Sequence, residues 1–137
     1  MFEEKILVVH HSCIVNHLGQ QHTDSVLHKF LSVNAAIMSL VSDKASITVG
    51  DSNKGIVIDV LPRMECLFDE LSAFDFEESG VARAFCENAK KVIVTGAYKS
   101  ICISGASKVL ERMGINYEYY DQGIIDRLGT KANPQFV

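Results

Sequence analysis

The sequence predicts an α/β chain: a three-layer α/β/α, Rossmann-like fold with a mostly parallel central sheet. Two observations predict it. Ile6-Leu7-Val8-Val9 and Val92-Ile93-Val94 are unbroken, largely β-branched runs, the pattern of strands buried on both faces. Strand-like runs also alternate with stretches of helical period, which implies βαβ units with right-handed crossovers. These two runs belong near the middle of the sheet. A chain of 137 residues is expected to form one domain, 1–137, around a single core.

From the N-terminus, residues 5–10 form the first strand and carry His10 and His11 to its C-terminal end. In open parallel sheets that end is where ligands bind. Residues 12–22 are polar, contain Gly19 and read as a loop. A helix starts at Thr23 or Asp24, and Val26, Leu27, Phe30, Leu31, Val33, Ala36, Ile37 and Leu40 keep helical spacing to about Val41. Residues 45–49 form the second strand, and 50–55 are dense in turn formers. Residues 56–60 are a strand or an extended lead-in to Leu61-Pro62. For 64–71, both helix and strand stay open. Residues 77–88 read as a helix with acidic residues at its start. After Asp121, Gly123, Ile124, Ile125 and Leu128 suggest a short element, and 129–137 a loosely held tail.

The chemistry concentrates in residues 90–121. A strand over 91–95 runs into a turn at Gly96. Cys102, Ala106, Val109 and Met113 then follow helical spacing, with Ser100 as N-cap and Gly114 as C′ residue. Residues 116–120 return as a strand, with Tyr117 and Tyr119 on one face and Tyr120 on the other. Cys102 therefore falls in the first turn of a helix. Partial positive charge and N–H groups there favour a thiolate, and the same groups can hold an oxyanion during acyl transfer. The structural alternative is a small apolar residue packed between helix and sheet.

Composition excludes several classes. An apolar fraction of 47% argues against disorder, and a net charge of −4 argues against a nucleic-acid or membrane surface. The acidic start Met1-Phe2-Glu3-Glu4-Lys5 and the brief apolar run after it are not the pattern of a signal peptide. Four cysteines without a C-x-x-C pair fit reduced thiols in the cytoplasm. All five histidines lie between His10 and His28, yet their spacing matches no metal motif, so no metal and no cofactor is assigned. His10, His17 and His22, which flank one stretch, are the best ligand candidates.

Val94-Thr95-Gly96, then Cys102-Ile103, Ala106 and Leu110-Glu111-Arg112, resembles the signature of isochorismatase-like cysteine hydrolases. Gly55-Ile56-Val57-Ile58-Asp59-Val60-Leu61-Pro62 and Ser72-Ala73-Phe74 resemble two further segments of that family, in the same order. The likeness covers residues 53–121 well and the N-terminal third loosely. It implies a nucleophilic cysteine at Cys102, a non-proline cis peptide at Ala97–Tyr98, and an oxyanion hole from the amides of Tyr98 and Cys102. It also implies an aspartate ending the first strand and a lysine before the S-x-F segment. Here His10 stands at the aspartate position, and Phe68-Asp69-Glu70 stands where the lysine is expected. His10 then becomes the base for Cys102, while Arg63, the nearest cation, and Phe74 fall to substrate binding.

Three functions compete. The first is hydrolysis of an amide or related C–N bond in a small-molecule substrate, through Cys102 and His10. The second is a catalytically degenerate member of the fold that binds a ligand or assembles as a homo-oligomer. The third is a thioredoxin-like redox module, weakened by the missing C-x-x-C.

Overall fold

The computed structural model describes residues 3–44, 46–49, 64–67, 86–87, 89–127 and 134–136. The order is β1 (Glu3–Val9), α1 (His11–Leu18), α2 (Asp24–Asp43), β2 (Ser46–Val49), β3 (Met64–Leu67), β4 (Ala89–Ala97), a π-helical turn (Lys99–Ile103), α3 (Ser104–Arg112), β5 (Tyr117–Arg127) and β6 (Pro134–Phe136). The strands form one sheet in the order β3-β2-β1-β4-β5-β6. Neighbours from β3 to β5 pair in parallel, and β6 joins antiparallel to β5. The two unbroken apolar runs, β1 and β4, are the central strands, as expected for strands covered on both faces.

Strand alternation sorts the core into two layers. Ile6, Val8, Ile93 and Ala97 pack with Ile14 of α1 and with Phe30, Val33, Ile37 and Val41 of α2. Leu7, Val9, Val92 and Val94 pack on the opposite face with Ile103 and with Ala106, Val109 and Leu110 of α3. Burying each such large side chain contributes about 1.5–3 kcal/mol. Helix α2 is long and apolar enough to cross a membrane, with a mean hydropathy of 1.3 over Asp24–Ser42. Phe30, Val33, Ile37 and Val41 of this helix pack on the sheet.

Helix ends follow the sequence signals at α2 and α3. The Thr23 hydroxyl caps α2 by accepting the Val26 N–H at 3.4 Å. At the end of α3, Gly114 takes φ 73°, its N–H reaches the Glu111 carbonyl, and the Ile115 N–H reaches Leu110, a Schellman closure.

Four expectations change. Residues 12–22 are not all loop, because α1 spans His11–Leu18. Its inner face is built from His11, Ser12, Ile14 and His17, so polar residues that signal a loop are buried here. Residues 64–67 settle as β3, paired with β2. Residues 134–136 are a strand, with Phe136 opposite Ile125, not a loose tail. Ser100 is not an N-cap: the helical stretch starts from Tyr98, and Ser100 lies inside the π-turn. The expected element at 56–60 and most of the helix at 77–88 lie outside the described residues.

Candidate active site at the carboxyl end of the sheet

The chain leaves β1 towards β2 and β3, then returns to build β4, β5 and β6 on the other side. The strand order therefore reverses between β1 and β4. In such sheets the crevice outside the carboxyl ends at the reversal point is the place for a ligand. The last register pair of β1 and β4 is Val9 with Gly96. His10 follows the first and Ala97–Tyr98 the second, so three of the sequence-predicted site residues leave adjacent strands side by side.

Gly96 makes this pairing possible. Its φ is 118°, and a Cβ there would stand 2.0 Å from the Val9 carbonyl oxygen. His10 takes a left-handed conformation (φ 49°, ψ 50°), which turns the chain from β1 directly into α1. Ala97–Tyr98 is a cis peptide, the bond the family resemblance implies.

Cys102 sits in the π-helical turn between this peptide and α3. Single-turn π segments occur often at functional sites. The Tyr98 carbonyl closes the turn by accepting the N–H groups of Ile101 at 3.0 Å and Ile103 at 3.1 Å. Asp126 of β5 holds the outer side, taking the Ser100 hydroxyl at 2.6 Å and the Ser100 N–H at 3.0 Å through one carboxylate oxygen. Lys99 lies 3.6 Å from Asp121 and over the Tyr119 ring. Cys102 itself is half-buried and packs against the α3 side of the core.

Histidines pack on the α1–α2 side of this sheet end. His17 is buried, stacks on Phe30 at 4.7 Å and 10°, and hydrogen-bonds with the Tyr98 hydroxyl at 2.9 Å. His22 donates from Nε2 to the His17 carbonyl at 2.7 Å. His11 donates from Nε2 to Asn34 at 2.7 Å, and burial lowers its pKa although that bond opposes the shift. Among the described residues no three His, Cys, Asp or Glu side chains gather to hold a metal. His17 and His22, two of the three ligand candidates, each engage Nε2 with a protein partner.

Of the sequence-predicted residues, His10, Ala97, Tyr98 and Cys102 share the carboxyl end of β1 and β4, while Arg63 and Phe74 lie outside the described residues. Sequence reasoning missed His17 and Asp126 as supports of the turn. Ile14 and His17, spaced three apart on one helical face, were a readable signal for the first. The Asp126–Ser100 bond joins residues 26 apart and has no local signature.

No protein-family model matches the sequence. No curated protein matches it either. Among solved structures the chain is similar to the crystal structure of a nicotinamidase from Staphylococcus aureus, with a TM-score of 0.60 and 16% identity over 95% of this chain and 88% of that one. At that identity the likeness shows the fold alone: the α/β architecture with a mostly parallel sheet is shared by the two chains.

Proposed function

We propose that the chain is a cysteine-dependent hydrolase of small-molecule amides or related C–N bonds, with Cys102 as nucleophile and His10 as its base. The carrying observation is the placement of His10 and the Ala97–Cys102 turn on neighbouring central strands, at the point where strand order reverses. The sequence signature from Val94 to Arg112 supports the same reading, as does a fold shared with a nicotinamidase.

In this reading His10 takes the Cys102 proton, and the thiolate attacks the substrate carbonyl carbon. The amides of Tyr98 and Cys102 hold the negative oxygen of the tetrahedral intermediate. The C–N bond then breaks, and the amine leaves with the proton from His10. Water attacks the thioester and gives one proton to His10, which returns it to the sulfur as the carboxylic acid departs. Arg63 and Phe74 belong to substrate binding.

The test is ammonia release from a panel of small primary amides, nicotinamide among them. The Cys102→Ala variant should abolish turnover, and His10→Ala should lower it by about 10²–10⁴, the usual contribution of a general base. Turnover by Cys102→Ala at the wild-type rate would sink the proposal.

A second reading, a non-hydrolytic ligand-binding or homo-oligomeric protein, is favoured by His10 standing at the aspartate position. A strict monomer in sedimentation that turns over an amide eliminates this reading.

A further inference from the structure

We infer that His17 is a positioning residue, which holds the Tyr98 side chain so that the Tyr98 amide stays aimed at the oxyanion formed on Cys102 chemistry. The inference rests on the hydrolase reading above and assigns a role to a histidine that the reaction itself does not use.

Three observations carry it. The His17 ring is fixed before it reaches Tyr98: it lies flat on Phe30, which is fully buried, and its backbone carbonyl is held by His22. The His17–Tyr98 bond is buried, joins residues 81 apart, and ties α1 to the residue that opens the cysteine turn. Tyr98 also supplies the carbonyl that closes this turn on Ile101 and Ile103. Its side chain packs in the α1–α2 layer, whereas Cys102 packs on the α3 side. Tyr98 thus spans the sheet end, and His17 anchors its far tip. A buried bond that fixes a backbone donor in advance is what preorganised oxyanion stabilisation requires.

Two thiol reactions separate positioning from mere folding. Alkylation of Cys102 by iodoacetamide expels iodide and forms no oxyanion. Acylation of Cys102 by p-nitrophenyl acetate passes through a tetrahedral oxyanion and releases nitrophenolate. His17→Phe keeps the stacked ring and removes the bond; Tyr98→Phe removes the same bond from its other end and serves if the first variant fails to fold. Both rates are read on the full chain, with Cys102→Ser as background. Acylation should slow by about tenfold in each variant while alkylation stays within about twofold, because a displaced donor acts only where charge builds on oxygen. Equal losses with both probes, unchanged acylation, or a loss in only one of two folded variants overturns the inference. A wild-type Cys102 that takes neither probe overturns the hydrolase reading itself, and the inference with it.

Discussion

Val9 and Gly96 meet main chain to main chain, so closely that no side chain fits between them: a Cβ on Gly96 would lie 2.0 Å from the Val9 carbonyl oxygen and 2.8 Å from its carbon. The obstruction is backbone in the centre of the sheet, which cannot rotate aside. Gly96→Ala is therefore expected to lose about 3 kcal/mol or more, from the clash together with a φ that L-residues avoid. Gly114 has a left-handed φ but nothing within 4 Å, so Gly114→Ala should lose only about 1 kcal/mol. Urea unfolding of the two variants checks the ranking.

Iodoacetamide near neutral pH should label Cys102 before Cys13 and Cys86. Cys86 is fully buried, and that burial pushes its thiol up to about 12, so it carries almost no thiolate at neutral pH. Peptide mapping after brief labelling reads the order. Modification of Cys86 first would contradict the packing described above.

The same thiol makes the fold sensitive to alkali. The unfolded chain ionises Cys86 near 9, whereas the folded chain holds its proton to about 12. Above the unfolded value the unfolded state binds fewer protons, so stability falls as pH rises through this window, by at most about 1.4 kcal/mol per pH unit. Cys86→Ala should flatten this part of the stability curve between about pH 9 and 11, measured by denaturant midpoints.

His11 acts at the other end of the scale. Burial lowers its pKa in the folded chain, so the unfolded state takes up the proton first as pH drops below the ordinary histidine value of 6.5. Stability is then complete above that value and declines below it, again by at most about 1.4 kcal/mol per pH unit. His11→Gln, which keeps an amide donor for Asn34, should remove this acid-side decline in the same denaturant series.

Asp126 should matter more to the cysteine turn than to the fold. Its bonds to Ser100 are exposed, and such bonds contribute about 1 kcal/mol or less to stability. Asp126→Ala is expected to shift the unfolding midpoint slightly while changing the Cys102 alkylation rate severalfold. Unchanged alkylation would show that the turn holds its shape without this tether.

The parts legible in the sequence were those set by local pattern. Ile6 to Val9 and Val92 to Val94 announced the two central strands because a strand buried on both faces has no polar residue to interrupt it. Thr23 and Gly114 marked helix ends because capping is a property of one or two residues. The strand in 64–67 was ambiguous because four residues are too few to show a period. Helix α1 was missed because its buried face uses His11, Ser12 and His17, whose polar groups are in part satisfied by Asn34 and Tyr98, residues remote in sequence. Ala97, Tyr98 and Cys102 stand out through family spacing; the bonds of His17 to Tyr98 and of Asp126 to Ser100 join residues far apart in sequence and leave no such trace.

Strand β5 carries one more consequence. Val94 faces Tyr119, but Gly96, two residues on, faces Ile124, five residues on. An odd surplus of three residues inverts the side-chain parity: Tyr117 and Tyr119 point to the α3 layer below it, and Ile124, an even-numbered residue, does so above it. The place where parity flips is pinned: the Gly123 carbonyl accepts the Thr95 hydroxyl at 2.8 Å, and a Cβ on Gly123 would stand 2.2 Å from that hydroxyl oxygen, so any larger residue there strains the crossing.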